Sequence, residues 1–212
     1  MIMVITGDLV RSTQLDTVDY QRTIRALQHY LDALSKQYET VHSLYRGDGF
    51  QLAGYATDQL PVILLKIKLW LASGEDTPAI HCTLSGACGE GALSGRDPGM
   101  NSGPALITSG RTLETLRSAQ LMLHIQNCPQ QEAVALLCNQ LSYILNRLSA
   151  RQSALLYEYL NAGFPTHQAL AQTHDTTRQN ISERLKAAGA DLLPEFIGFA
   201  QQCCRQSCGA PQ

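Results

Sequence analysis

The residues that decide the fold are MIMVITGDL (residues 1–9), an apolar run that ends in the pair Gly7-Asp8. A second Gly-Asp pair lies in LYRGDGFQ (residues 44–51), between two further runs of strand-forming residues. Gly-Asp-Gly is typical of a tight turn, so residues 41–46 and 50–55 are predicted as the two strands of a hairpin. Each of the two aspartates is therefore expected at the end of a strand.

The rest of the first two thirds alternates between helical and strand patterns. Residues 20–38 repeat apolar side chains at spacings of three and four, which predicts an amphipathic helix. Further elements are expected as a helix over 57–73, a strand over 80–84, a helix over 111–117 and a strand over 121–125, with a loop-like stretch from Gly86 to Gly103. This order is the split β-α-β-β-α-β pattern. We therefore predict an α+β fold, with a ferredoxin-like antiparallel sheet and helices packed on one of its faces.

The two aspartates are candidate metal ligands. Mg²⁺ prefers carboxylates together with the phosphate oxygens of a substrate, and Asp8 and Asp48 are expected on the same edge of the sheet. The backbone from Leu9 to Thr13 leads towards a helix and is a candidate phosphate cradle. The alternative is that Gly-Asp-Gly is only turn chemistry and that Asp8 caps a helix. The candidate nucleotide- and phosphate-binding residues are Leu9, Arg11, Ser12, Thr13 and, in a later helix, Arg111.

The same motifs resemble two known families. Residues 8–13 resemble the first metal motif of the class III nucleotidyl cyclases, and residues 47–50 resemble their second. The chain is also similar to the SatD family, which pairs Gly-Asp-x-x-x-Ser with a later Gly-Asp-x-Phe-Gln; here these are residues 7–12 and 47–51. Residues 89–114 look like the region after the fourth core strand in both groups. The resemblance implies a palm-like domain that binds a nucleotide with Mg²⁺.

The sequence departs from the cyclase pattern at three positions. Leu44 stands where the cyclases carry a base-reading lysine, Ile107 where they carry an asparagine, and Arg11 where they carry a glycine. Nucleotide or metal binding without turnover tolerates these three substitutions better than catalysis does. The resemblance to the cyclases implies that Arg111 neutralises the charge that develops in the transition state. The alternative is a surface arginine paired with Glu114 at helical spacing.

After Ile125 the pattern becomes helical. We place a break near Asn127, which predicts a palm-like α+β domain over residues 1–127 and an all-α domain over residues 128–212. Within the second domain, residues 149–188 resemble the helix-turn-helix of bacterial regulators. Ser149 is the expected N-cap of its first helix. Two short helices are then expected over 167–173 and 177–186.

The sequence of the last helix, residues 177–186, predicts a DNA-binding face. Its exposed polar side chains are of the kinds that bind base edges or phosphates. The module carries little excess positive charge, so we expect binding as a homodimer on a palindromic site. A protein-interaction role is the alternative. The candidate DNA contacts are Thr177, Arg178, Gln179, Asn180, Ser182 and Lys186.

Nothing in the sequence predicts export or membrane insertion. Asp8 and Arg11 interrupt the opening apolar run too early for a signal peptide, and the apolar stretch 60–72 is too short to span a bilayer. We therefore expect a cytoplasmic protein whose seven cysteines are reduced. Cys203, Cys204 and Cys208 lack the spacing of a zinc site and are expected on a tail helix.

Two functions follow from these patterns. The first is a cytoplasmic DNA-binding regulator whose palm-like domain binds a nucleotide or phosphorylated ligand with Mg²⁺. The alternative is an enzyme of the nucleotidyl cyclase or nucleotidyltransferase type, in which the helical module serves for dimerisation or localisation. The substitutions at Leu44 and Ile107 favour the first.

Overall fold

The computed structural model describes residues 1–45, 47–94 and 101–208 of the chain. Within these ranges the chain forms a five-stranded sheet in the order β2-β3-β1-β4-β5. Arg46 of the expected hairpin and residues 95–100 of the expected loop lie outside the described residues. The strands are β1 (Ile2–Leu9), β2 (Val41–Tyr45), β3 (Gly49–Gly54), β4 (Cys82–Gly89) and β5 (Leu121–Ile125).

Helices connect the strands and follow the last of them. Single 3₁₀ turns at Ser12–Gln14 and Thr57–Gln59 precede the first two helices. No helix of the described residues is long and apolar enough to cross a membrane. The helices are α1 (Thr17–Tyr38), α2 (Leu60–Ser73), α3 (Pro104–Thr115), α4 (Gln131–Leu145), α5 (Ala150–Asn161), α6 (His167–Thr173), α7 (Arg178–Ala187) and α8 (Leu192–Cys208).

The strand pairing confirms the predicted α+β class. β1 runs antiparallel to both of its neighbours, β3 and β4, and β2 runs antiparallel to β3. The first four strands with α1 and α2 therefore form the split β-α-β-β-α-β pattern. β5 is added at the edge, parallel to β4, and α3 makes the crossover between them. The sheet is thus largely antiparallel, as the sequence predicted.

The expectation that all helices lie on one face is wrong for α3. Alternate residues of a strand point to opposite faces, so Met3 and Ile5 join the large core with α1 and α2 while Ile2 and Val4 do not. Ile2 and Val4 instead pack with Ala105 of α3 in a second, small cluster. The α3 helix therefore covers the other face of the sheet.

The β4 strand is longer than the sequence predicted, because it continues to Gly89 through a stretch expected to be a loop. The reason is packing. A Cβ at Gly86 would lie 2.6 Å from Leu123 Cδ2 and 3.0 Å from Leu64 Cδ1. Only a residue without a side chain fits a strand between these leucines. The small residues of β4 are therefore a packing requirement.

The α2 helix is buried on nearly all sides. Its Trp70 ring stacks on Tyr30 of α1, with ring centroids 4.2 Å apart, and Tyr157 of α5 packs edge-on against Tyr30. Apolar side chains of the sheet, of α2 and of helices α4 to α8 form one continuous core cluster. The predicted division at residue 127 stays a prediction, because the later helices share this core.

The predicted helix starts in the C-terminal part are confirmed. Ser149 caps α5 in a full capping box with Gln152, and Thr166 caps α6. Thr177 caps α7 by accepting a hydrogen bond from the backbone N–H of Asn180 at 3.2 Å. The Ser149 cap lies where the sequence placed it, because capping depends on residues only three apart. Thr177 was predicted as a DNA contact and not as a cap.

Candidate functional site

Asp8 and Asp48 lie at adjacent strand ends. Asp8 is near the end of β1, where its register partner in β3 is Gly49, the residue after Asp48. On its other side Asp8 pairs with Thr83 of β4. This register places the two carboxylates at the same end of neighbouring strands, as their Gly-Asp context predicted.

Both aspartates line an open pocket of about 710 Å³ on the face of the sheet that carries α3. The volume lies within the range of small-molecule sites, roughly 300–1,000 Å³. Of the predicted ligand-binding residues, Leu9 and Arg11 also line it. The walls further include Tyr45, Gly49, Thr83, Gly110, Leu113, Glu114 and Ser118.

The pocket holds the carboxylates of Asp8 and Asp48, and no basic side chain of the described residues forms an ion pair with either of them. Partial burial, and then the negative charge of Asp48, raise the pKa of Asp8 above its ordinary value. Ser12, which is buried, donates a hydrogen bond from its Oγ to Asp48 Oδ2. This bond fixes the Asp48 carboxylate relative to the β1–α1 loop.

The alternative structural roles apply to only one of the two aspartates. Asp48 does lie in the turn of the β2–β3 hairpin, next to Gly47 with φ of 90°. Asp8 caps no helix. The N-cap of α1 is Asp16, whose carboxylate accepts a hydrogen bond from the backbone N–H of Asp19 at 2.8 Å. The side chain of Asp8 is therefore left for the pocket.

The glycine of the first Gly-Asp pair serves packing. Gly7 lies on the same face of β1 as Met3 and Ile5. A Cβ there would lie 2.7 Å from Phe50 Cε1 and 2.8 Å from Leu84 Cδ2. The space beside Gly7 is filled by the ring of Phe50, which is fully buried.

The structure brings Ser12 to the site but leaves two predicted residues outside it. Thr13 is exposed and does not line the pocket. Arg111 is exposed on α3, whose neighbouring residues Gly110 and Glu114 do line the pocket. The alternative ion pair between Arg111 and Glu114 is absent from the described part of the chain. A role for Arg111 stays a prediction.

Several wall residues were missed in the sequence. Thr83 faces the pocket because it pairs with Asp8, and only the β1–β4 register reveals this. Tyr45 precedes the second Gly-Asp pair and Glu114 follows Arg111, but the sequence did not predict either of them in the pocket wall. Across the described ranges no group of three or more His, Cys, Asp and Glu side chains is arranged to hold a metal ion. A cation at the two aspartates would take its other ligands from water, backbone or the bound phosphate.

The predicted DNA contacts lie on one surface of α7. Ile181 and Leu185 of this helix are buried, which leaves the opposite polar face outward. Gln179 donates a hydrogen bond from Nε2 to Glu183 Oε1 at 3.1 Å. Thr177, Arg178, Gln179, Asn180 and Lys186 are exposed, and Ser182 is partly buried.

No known family model matches the sequence, and no curated protein matches it. The resemblance to the SatD family therefore stays a prediction. Solved structures with a similar fold do exist. The guanylate cyclase domain of RhGC from Catenaria anguillulae, in complex with GTP, is 18% identical, with a TM-score of 0.43 over 57% of this chain and 76% of that chain.

Two further structures are similar to this chain. A dimeric guanylyl cyclase domain of the RhoGC fusion protein from Blastocladiella emersonii is 16% identical, with a TM-score of 0.45 over 57% of this chain and 78% of that chain. A class III adenylyl cyclase-like ATP-binding protein from Pseudomonas aeruginosa is 11% identical, with a TM-score of 0.43 over 77% of this chain and 44% of that chain. At these identities and TM-scores the similarities assign no activity, ligand or partner to this chain.

Proposed function

We propose that the pocket at Asp8 and Asp48 binds a nucleotide or another phosphorylated ligand together with a divalent cation, Mg²⁺ by preference. The observation that carries the proposal is the pair of carboxylates at adjacent strand ends, in an open pocket of about 710 Å³, with no ion pair to a basic side chain among the described residues. Two carboxylates leave most of the octahedral shell of Mg²⁺ free. Phosphate oxygens and water are its usual remaining ligands.

Isothermal titration calorimetry with Mg²⁺ and nucleoside triphosphates tests this proposal. Binding should require the cation, and both Asp8→Asn and Asp48→Asn should remove the dependence on it. Asp16→Asn is the matched control. It removes one carboxylate near the site, but asparagine caps a helix as well as aspartate does. Cation-dependent binding that survives both substitutions in the pocket would contradict the proposal.

We favour binding over turnover. Leu44 packs against the core and has no polar group for a base, and Ile107 is 54% exposed on α3 without a polar atom. Arg111 does not line the pocket, so α3 presents no fixed positive charge for a transition state. We expect no conversion of ATP or GTP when the products are separated by chromatography. Conversion that is lost in Asp48→Asn would establish the alternative, a nucleotidyl cyclase or transferase.

We propose DNA binding by α7 as the output of this regulator. The supporting observation is the polar, exposed face of a capped helix that follows a short turn after α6. The helix would enter the major groove, with Gln179 and Asn180 towards base edges and Lys186 towards a phosphate. A homodimer would double these contacts.

Selection from genomic DNA fragments, followed by binding assays on variants, tests this output. Replacing Gln179 or Asn180 by alanine should relax sequence preference, since one bidentate contact discriminates bases by about 1–3 kcal/mol. Lys186→Ala should weaken binding to all sequences and flatten its salt dependence. Lys36→Ala, at the exposed end of α1, removes the same charge elsewhere and should change neither. If no sequence is enriched, the module is a protein-interaction element.

A further inference from the structure

A second cavity adjoins the pocket of the two aspartates. It has a volume of about 540 Å³ and lies between the β1–α1 loop, residues 79–81 and residues 118–119. We call it the side compartment. It shares Val10, Arg11 and Ser118 with the walls of the larger pocket, so the two cavities meet at these residues. The two cavities are therefore direct neighbours.

Arg11 stands at the junction of the two cavities. Its backbone is left-handed, with φ of 59° and ψ of 29°, a conformation that favours glycine. An arginine at such a position carries backbone strain, which glycine would not. The side chain is exposed and makes no ion pair with any described residue. Arg11 thus lines both cavities with an exposed side chain that pairs with no described carboxylate.

Lys68 places a second positive charge behind the wall of the side compartment. This residue of α2 is only 1% exposed, and its ammonium donates hydrogen bonds to the carbonyls of Cys82 at 2.8 Å and of Ala119 at 2.5 Å. Ala119 itself lines the compartment. Within the described ranges no carboxylate lies within ion-pair distance of Lys68. Burial lowers the pKa of Lys68 below its ordinary value, because a buried charge without a counter-ion is costly, and a nearby anion favours the charged form.

His81 supplies a donor with a defined tautomer. Burial, and then the positive charge of Lys68, hold the pKa of His81 below its ordinary value, so the ring is neutral at pH 7. Its Nδ1 is closed to solvent and has no hydrogen-bond partner. A buried N–H without an acceptor costs free energy, and the charge of Lys68 favours a lone pair at that atom. The proton therefore lies on Nε2, the ring nitrogen available to a ligand.

We propose that the side compartment binds a phosphate or pyrophosphate group, with the Arg11 guanidinium and His81 Nε2–H as donors and Lys68 as a fixed charge behind them. None of its wall residues in the described part of the chain is acidic. The guanidinium fork suits phosphate oxygens. The proposal deepens the function proposed above, because a polyphosphate could bridge the cation at the aspartates and this compartment. Anion binding itself needs no cation.

The test uses inorganic pyrophosphate without Mg²⁺, followed by NMR of the histidine side chains and by calorimetry. The His81 signal, assigned by its loss in His81→Phe, should shift in a saturable manner. Arg11→Gly should weaken binding about tenfold or more, a change of about 1.4 kcal/mol. It should not lower the melting temperature, because glycine relieves the left-handed backbone. Arg25→Gln, an exposed arginine of α1, is the matched control and should bind pyrophosphate as the parent does.

Three results would overturn the proposal. One is the absence of a saturable His81 shift, and another is an unchanged affinity in Arg11→Gly. The third is equal weakening by Arg25→Gln, which would indicate an adventitious ion only. Asp8→Asn and Asp48→Asn separate this proposal from the first one. They should abolish the effect of Mg²⁺ on nucleotide binding and leave cation-free pyrophosphate binding intact, so either proposal can fail without the other.

Discussion

The ring of Phe50 fills the space that the missing side chain of Gly7 leaves open. The two residues are register partners in β1 and β3, and a Cβ at residue 7 would lie 2.7 Å from Phe50 Cε1. Phe50 is fully buried in the large core. The glycine and the phenylalanine, one in each Gly-Asp motif, are therefore one packing unit directly behind the two aspartates.

Gly7→Ala should destabilise the protein by about 1–3 kcal/mol, the usual cost of forcing a methyl group into a packed core. The clash is with Phe50 and Leu84, and both side chains are fully buried. Chemical denaturation of the variant and the parent measures the change in free energy of unfolding.

Gly198→Ala is the matched control for this substitution. Gly198 lies in the middle of α8, where a Cβ would meet nothing within 4 Å. Alanine there should stabilise the protein by about 0.5–1 kcal/mol, because glycine is a poor helix former. An equal loss of stability in both variants would contradict the packing role of Gly7.

Ser149→Ala should cost about 0.5–2 kcal/mol of stability. Its hydroxyl oxygen accepts a hydrogen bond from the backbone N–H of Gln152 at 3.3 Å. The side-chain Oε1 of Gln152 accepts a hydrogen bond from the backbone N–H of Ser149 at 2.9 Å. Ser149→Asp keeps a capping acceptor and should be close to the parent. Thermal unfolding of the three proteins checks the order.

Local chemistry explains which parts of the fold could be predicted. The cap of α5 depends on two residues three apart, and the hairpin at Asp48 depends on a tight turn, so both were visible in the sequence. The full length of β4 was not visible. Gly86 is strand only because Leu123 and Leu64 cover it, and those leucines come from distant parts of the chain.

The site shows the same division. Asp8 and Asp48 were predicted together because each ends a strand beside a glycine. Thr83 enters the pocket through strand register, and the side compartment brings Arg11, His81 and Lys68 together from three separate segments. No motif joins these residues. The face that α3 covers depends likewise on tertiary contacts such as the 2.8 Å hydrogen bond between Thr6 and Ser109.

Among the seven cysteines we expect only Cys128 to react rapidly with a thiol reagent in the folded protein. It is the one cysteine that is not buried. Burial raises the pKa of Cys82 to about 11 and that of Cys138 to about 12, so these two residues form few thiolates at neutral pH. The pKa of Cys208 is instead lowered by its hydrogen bond with Cys88, and its burial alone protects it. Absorbance from the released chromophore should show one fast equivalent, which Cys128→Ser removes. Any fast thiol that remains in that variant would contradict the prediction, because all six remaining cysteines are buried.

Asp8→Asn should raise the melting temperature at pH 7 in the absence of a divalent cation. The pKa of Asp8 is raised in the folded state by burial and by Asp48, so the folded protein binds this proton more tightly than the unfolded chain does. Ionised Asp8 therefore costs stability above its folded pKa. That cost is absent below the ordinary aspartate pKa of about 3.9. The advantage of the variant should shrink as the pH falls towards that value.

Mg²⁺ with a nucleoside triphosphate should reverse this order at pH 7. A cation held by Asp8 and Asp48 neutralises both charges, and a ligand that binds only the folded state stabilises it by about 2.7 kcal/mol at one hundred times its Kd. The parent should gain this stabilisation and Asp8→Asn should not, so their melting curves should cross as the ligand is added. Asp16→Asn should follow the parent throughout. An equal rise in melting temperature in the parent and in Asp8→Asn would place the cation elsewhere. The carboxylate pair would then destabilise the fold without binding a ligand.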